Sequence, residues 1–263
     1  MVGISKAAGD VSTGSPKDVW ARLRAYTPAR IGLGRVGGSL PTRALLEFEL
    51  AHARARDAVR ARFDAEALAR DLRNGGFGEP VVVSSQARDR TEYLLRPDLG
   101  RALTAESRER LRESRSAGCE LAVVIADGLS ALAPMKHAMP VLSELRTGNA
   151  GLPQQVTVAV ANHARVALGD EIGEILGAAA VVVLIGERPG LSSPDSLGIY
   201  LTWAPRVGLT DAERNCVSNI RPEGLAYEDA ARRLAYLLSE ARRLKLTGVA
   251  LKDDSDGAQG RIR

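Results

Sequence analysis

Cysteine is nearly absent from this chain of 263 residues: Cys119 and Cys216 lie far apart and form no C-x-x-C pair. That excludes zinc ribbons and dithiol redox motifs and points to free thiols in a reducing compartment. Histidine is as scarce, with only His52, His137 and His163. No H-E-x-x-H occurs and no histidine stands close to a cysteine, so a zinc site is not expected. G-x-S-x-G is missing, which removes an α/β-hydrolase nucleophile. Aromatic residues make up 4% of the chain, so any core must be built from Ala, Leu, Val and Ile. No apolar run approaches the roughly 18 residues that span a bilayer, and the first residues contain no continuous apolar segment of secretory type. A cytoplasmic location and no membrane contact are therefore expected. Charge of one sign is also lacking. The 36 basic and 32 acidic residues leave +4, with an isoelectric point near 9.3, and the excess is mostly arginine on predicted helices. Nucleic acid is not an expected partner of so small an excess.

What is present concentrates between Val181 and Ile220. Val181 to Ile185 is a β-branched apolar run too short for a helix and closed by Gly186, so it reads as a buried strand. Glu187 and Arg188 follow at once, then the turn formers Pro189, Gly190, Ser192, Ser193, Pro194 and Asp195. Gly198 to Trp203 reads as a second strand. A polar turn from Thr210 then carries Asp211, Glu213, Arg214, Asn215, Cys216, Ser218 and Asn219. Such a crowd of polar groups either shapes tight turns facing water or lines a site. In open α/β sheets the carboxyl edge of the strands is where ligands bind.

Four regions are expected: a disordered Gly/Ser-rich tail over 1–16, a helical N-terminal region over 17–79, a Rossmann-like domain over 80–252 and a polar tail over 253–263. Asp18 to Tyr26 can form a short helix. Gly32, Gly34 and Gly37 satisfy G-x-G-x-x-G, but Thr27-Pro28 breaks the chain where the fingerprint requires a strand. Thr42 to Phe63 reads as a long helix anchored by Leu45, Leu46, Phe48, Leu50 and Val59. Its arginines, Arg54 and Arg56 among them, either pair with neighbouring carboxylates on a solvated face or dock on another protein. Asp64 caps a helix that Asn74-Gly75-Gly76 ends. From Pro80 the character changes. Val81–Ser84, Leu121–Ala126, Gln155–Ala161 and Val181–Ile185 read as strands, Tyr93–Leu95 and Thr247–Lys252 as further short ones. Helices are expected from Thr104 to Arg115, from Ser130 to Leu145, over Gly169–Gly177 and over Tyr227–Leu246.

Strands alternating with helices predict an α/β fold, a mostly parallel sheet with helices on both faces after a small helical region. Right-handed crossovers gather the strand carboxyl ends on one edge. Asp127-Gly128, His163 to Val166, Glu187-Arg188 and Trp203-Ala204 should then surround one crevice. Within it Asp127 or Ser130 can cap the following helix. His163 either satisfies backbone groups or serves the site, while His137 reads as helical packing and His52 as a surface residue.

Several stretches are together specific: GERPGLSSPDSLG (Gly186 to Gly198), AERNCVSNI (Ala212 to Ile220), TPARIGLGR, PTRALLEFELAHARARDAV, VIADGLSA and HARVALGDEIGEILGA. Collinear from Trp20 to Lys252, they resemble the small-subunit family of ethanolamine ammonia-lyase. The resemblance implies a subunit of an adenosylcobalamin-dependent lyase that converts ethanolamine to acetaldehyde and ammonia. It implies a large-subunit partner, a TIM barrel carrying the substrate pocket and the radical chemistry, within a higher-order hetero-oligomer. It also implies a Rossmann-like cobalamin domain behind a helical N-terminal part. By resemblance Val166, Glu187 and Cys216 contact the cobalamin, and this chain supplies neither catalytic residues nor metal ligands. The cobalamin motif D-x-H-x-x-G is absent, because His163 has Ala161 two residues before it and Val166 three after. The cobalt is thus expected to keep its own dimethylbenzimidazole as lower ligand. Location in the cytoplasm follows, with or without enclosure in a bacterial microcompartment. The alternatives are a nucleotide-binding oxidoreductase using the Gly32 region and a purely structural partner subunit.

Overall fold

The computed structural model describes residues 20–115, 118–148 and 153–255. The tail expected over 1–16 and the chain beyond 255 lie outside them. Two compact units are formed, Met1–Ala51 and His52–Arg263. The sequence changes character at Pro80, but compaction divides the chain at Ala51–His52, inside a helix.

In the first unit, helix α1 (Ala21–Arg24) leads into the glycine stretch. Gly32, Gly34 and Gly37 all have positive φ, and Val36 and Ser39 exchange backbone hydrogen bonds of 2.8 and 3.1 Å across a tight turn. Arg24 donates to the Gly32 carbonyl at 2.7 Å. No described strand precedes these glycines, so their spacing makes turns and not the strand–loop–helix of a dinucleotide site. Helix α2 (Thr42–Arg60) crosses the division between the units. Its expected anchors Leu45, Leu46, Phe48 and Leu50 are exposed, and Ala51, Ala55 and Ala58 are buried instead. At 3.6 residues per turn, Leu45 and Phe48 point away from Leu46 and Leu50, whereas the three alanines fall on one stripe.

In the second unit α2 is followed by α3 (Ala65–Asn74), where Asp64 accepts the Ala67 N–H at 2.9 Å as N-cap. Strand β1 (Val81–Ser84) follows. The short strand expected at Tyr93–Leu95 is a helix, α4 (Arg90–Leu95). Asp89 accepts the Glu92 N–H at 2.9 Å and Glu92 reaches back to the Arg88 N–H at 2.8 Å, so reciprocal capping outweighs strand propensity. Helix α5 (Ala105–Glu113) is capped by Thr104 as expected. The remaining elements are β2 (Leu121–Ala126), α6 (Leu132–Thr147), β3 (Val156–Asn162), α7 (Leu168–Leu176), β4 (Ala180–Gly186), β5 (Leu197–Trp203), β6 (Asn215–Ile220) and α8 (Tyr227–Leu244).

Among the described residues the strands form one sheet in the order β1-β3-β2-β4-β5-β6. The first four are parallel, and β5 and β6 run antiparallel. Helices α3, α6 and α8 pack on one face over Val123, Ile125, Val182, Leu184 and Leu201. Helices α5 and α7 pack on the other over Ala122, Val124, Val181, Val183 and Ile185. Burial on both faces explains the unbroken apolar runs of β2 and β4.

Three expectations change here. Because β5 is antiparallel, Trp203 pairs with Ala180 and lies at the amino edge, away from the crevice. The polar stretch after Thr210 is a 3-10 turn, Asp211–Glu213, followed by β6. As an outer strand β6 keeps Val217 and Ile220 inward and Cys216 and Ser218 exposed, so it needs few apolar residues. The edge strand expected over Thr247–Lys252 is a 3-10 turn, Gly248–Ala250. The Asn215 side-chain amide holds it, accepting from Gly248 N–H at 2.8 Å and donating to the Leu251 carbonyl at 2.9 Å.

Candidate functional site

The carboxyl edge is drawn tight by two glycines. Gly128 has φ of 54°, and a side chain on it would run into the Gly186 carbonyl; one on Gly186 would strike the Ser130 and Asp127 carbonyls. Only this close approach lets Leu129 N–H donate to the Gly186 carbonyl at 2.9 Å. Asp127 and Ser130 do not cap α6, whose N-cap is Ala131, with no side-chain cap. Buried Asp127 instead accepts the Ala164 N–H at 2.9 Å and lies 3.3 Å from Arg90. Burial raises its carboxyl above the usual range, against the pull of that hydrogen bond and of Arg90. Ser130 donates to the Pro194 carbonyl at 3.0 Å.

The loop after β3 is braced from below. Tyr93 is buried beneath it, with the guanidinium groups of Arg165 and Arg90 at 4.3 and 4.9 Å from its ring, and its hydroxyl donates to the Ala164 carbonyl at 3.2 Å. Burial, aided by the Asp127 charge, pushes that phenol well above its ordinary value. Such cation–π contacts are stronger where water is excluded. His163 takes φ of 52° and sets its Nδ1 3.2 Å from the Ala87 carbonyl, which is the backbone-satisfying reading of that residue. Val166, three residues on, is half-buried against the apolar cluster that also takes Ile185 and Tyr200.

Gly169 in α7 lies on Val183, where a side chain would clash, so the helix presses close to β4. Asp170 of α7 forms an ion pair with Arg214, each side chain only 2% exposed, and Arg214 also donates to Asp211 at 3.0 Å and to the Leu209 carbonyl at 3.1 Å. Burial pushes the Asp170 carboxyl up, and Arg214 works against it. Removing one partner of such a pair strands the other charge, at a cost of about 3–5 kcal/mol. The pair ties α7 to the start of β6. Further out, Tyr200 is half-buried and Cys216 and Ser218 are exposed on the same side. Tyr200 pairs with both Val183 and Cys216 across the strands.

Glu187 reaches over this surface from the end of β4. Its carboxylate accepts the Asn219 N–H through Oε1 at 3.3 Å and Oε2 at 3.2 Å, and its own N–H donates to the Ser196 carbonyl at 3.0 Å. Its negative charge is felt by both Tyr200 and Cys216. Burial raises both the Tyr200 hydroxyl and the Cys216 thiol, so both stay protonated at neutral pH. Glu187 and Cys216 thus share one patch, and Val166 packs on the same apolar cluster as Tyr200. Arg188 is exposed. Sequence reasoning singled out neither Gly198 nor Tyr200, and it did not pair Asp170 with Arg214. For Gly198 the one signal was a glycine inside a strand, which marks a close approach.

The patch offers a carboxylate with lone pairs to spare, two neutral S–H and O–H groups and an apolar border. It can exchange hydrogen bonds with an uncharged, amide-bearing ligand. Among the described residues no group of three or more His, Cys, Asp and Glu side chains is placed to hold a metal ion, and no helix is long and apolar enough to cross a membrane.

Residues 17–252 match the family model described as ethanolamine ammonia-lyase light chain (EutC). The ethanolamine ammonia-lyase small subunit of Xanthomonas campestris pv. campestris is 57% identical over 248 residues, 93% of this chain and 91% of that protein. The small subunit of Azotobacter vinelandii is 54% identical over 247 residues, 91% of this chain and 90% of its own length. That of Pseudomonas putida strain W619 is 53% identical over 246 residues, 92% and 90%. With the family model covering all but the two ends of the sequence, the chain belongs to the ethanolamine ammonia-lyase light-chain family.

Proposed function

We propose that the chain is the small subunit of an adenosylcobalamin-dependent ethanolamine ammonia-lyase and that Val166, Glu187 and Cys216 hold the cobalamin where the small subunit meets the large one. The observation that carries this reading is Glu187, half-buried at the end of β4 with its carboxylate held by the Asn219 N–H beside Cys216. The donor set suits the ligand. A corrin ring is broad, partly apolar and fringed with amides. Glu187 can accept from such amides, the protonated Cys216 can donate to them, and Val166 supplies apolar contact. When bound, the cofactor supplies the organic radical; the residues of this chain only hold and orient it. Since D-x-H-x-x-G is absent, no histidine here replaces the cofactor's own dimethylbenzimidazole. Substrate binding and the chemical steps fall to the large subunit, and the assembly is a higher-order hetero-oligomer in the cytoplasm.

The test is a titration of adenosylcobalamin into the complex of both subunits by equilibrium dialysis. A lost hydrogen bond costs about 0.5–1.5 kcal/mol, up to about 3 where a buried donor is left unpaired, and each 1.4 kcal/mol is about tenfold in affinity. Glu187→Ala is expected to weaken binding by roughly tenfold. Glu187→Gln, which keeps an acceptor, should be mild. Turnover at saturating cofactor should hold in both, and the chain without its large partner should form no acetaldehyde. Equal affinity for wild type and Glu187→Ala would remove Glu187 from the site and favour a purely structural subunit. A fall in saturated turnover at unchanged affinity would instead give it a catalytic part.

A further inference from the structure

The register between β5 and β6 slips beside Glu187. Leu197 pairs with Ile220 and Ile199 with Val217, so two residues of β6, Ser218 and Asn219, stand opposite the single residue Gly198. This is a β-bulge, a device that bends a strand and releases one residue from the ladder. Asn219 takes φ of 59°, a conformation that Asn tolerates far better than branched residues do. Its carbonyl accepts the Leu225 N–H at 2.8 Å, and its side-chain oxygen accepts from Arg221 at 3.2 Å, which fix the turn. The N–H thereby freed from the ladder is the one donated to both Glu187 oxygens.

Gly198 makes the room. Its φ is not in the left-handed region, so nothing in the backbone calls for glycine there. A β-carbon at Gly198 would lie 3.0 Å from Glu187 Oε1 and 3.2 Å from its Cγ, with the carboxyl carbon next at 3.5 Å. The carboxylate therefore lies across the bare backbone of β5 on its way to Asn219. Glycine inside a strand weakens it relative to alanine, so its presence opposite a bulge calls for a reason.

We propose that Gly198 and the bulge at Ser218–Asn219 are positioning elements that lay the Glu187 carboxylate flat over β5 and thereby set the strength of cofactor binding. This rests on the reading of Glu187 as a cobalamin contact. Gly198 acts by lacking a side chain, Asn219 by turning its amide inward, and neither needs to touch the cofactor.

The experiment is a pair of substitutions in two backgrounds, with adenosylcobalamin affinity of the two-subunit complex measured by equilibrium dialysis and the melting temperature of each variant recorded. Gly198→Ala should weaken binding severalfold when Glu187 is present and leave it unchanged in the Glu187→Ala background. In that background it should also raise the melting temperature, because the strand gains a side chain and nothing is displaced. Asn219→Val should weaken binding only when Glu187 is present, and Asn219→Gly, which keeps the left-handed turn, should restore it. Loss of affinity from Gly198→Ala in both backgrounds alike would mean that it acts on the fold or on the cofactor directly, and would overturn the inference. So would unchanged affinity for Gly198→Ala where Glu187→Ala alone binds more weakly, which leaves the proposed function standing. If Glu187→Ala itself binds as wild type does, the role of Glu187 falls and the positioning role with it.

Discussion

An exposed cysteine on an edge strand would ordinarily be the most reactive nucleophile of a protein with two thiols. Cys216 is set up otherwise. Partial burial of its sulfur against the sheet raises the thiol above its usual value, the negative charge of Glu187 adds to the rise, and the hydrogen bond with Tyr200 opposes both. The thiolate is the reactive and metal-ligating form, so a neutral thiol suits contact with uncharged amides and not coordination of cobalt. At pH 8, iodoacetamide should modify Cys216 more slowly than it modifies cysteine in an unstructured peptide. Buried Cys119 should not contribute, which Cys119→Ala can check. Removing the neighbouring charge with Glu187→Gln should speed the reaction. A wild-type rate equal to that of the peptide would contradict this account of the thiol. At the same scale, Val166, Glu187 and Cys216 were expected as cofactor contacts by resemblance alone. Gly198 and Asn219 were read only as strand and turn residues, since what they do depends on a side chain at the end of another strand.

Among the elements, the loop between β4 and β5 is held at several points. Asp195 pairs with Lys136 at 2.7 Å, Pro194 receives the Ser130 hydroxyl, and His137 stands beneath with Nδ1 2.8 Å from the Tyr227 hydroxyl and Nε2 4.0 Å from Asp195. Burial against the core lowers the His137 pKa, Lys136 lowers it further, and Asp195 and Glu223 oppose. The sign for stability follows. An unfolded histidine takes up its proton near pH 6.5, whereas folded His137 resists until the pH is lower. Stability contributed by the neutral ring is therefore present above about pH 6.5 and lost as the pH falls below it, with a slope of at most about 1.4 kcal/mol per pH unit for one proton. Urea unfolding at several pH values should show His137→Gln losing less stability than wild type between about pH 6.5 and 5. Equal slopes would mean that His137 titrates alike in both states. Sequence reading identified this histidine as helical packing, and its neighbours came to light only when the loop folded back on α6. For the elements themselves, caps at Asp64 and Thr104 were visible because the cap and its helix are adjacent in sequence. Helix α4 and strand β6 were not. The first hides a cap at Asp89, and the second carries polar residues because one side of an outer strand meets water.

For the whole molecule, α2 presents exposed arginines. Arg43 pairs with Glu47 at 2.9 Å and Arg56 with Asp57 at 3.5 Å, both pairs in solvent, where such contacts contribute little. Arg54 and Arg56 are exposed. If this helix meets the large subunit, reversing both to Glu should weaken co-purification of the two subunits. The effect should be greatest at low ionic strength, where surface charge is least screened. Unchanged assembly at every ionic strength would assign these arginines to solvent.

The class of fold, five of the strands to within a residue, the closing helix and the family could all be read from the chain alone, because periodicity, capping and motif are local properties. Folding alone decided the strand directions and the edges. The antiparallel turn of β5 carried Trp203 to the far end of the sheet and made β6 an outer strand with a bulge. It also joined Asp170 to Arg214 and Glu187 to Asn219. These pairings depend on which strands become neighbours and in what register, and that is set by burying both faces of the sheet at once, a condition that no local stretch of the chain contains.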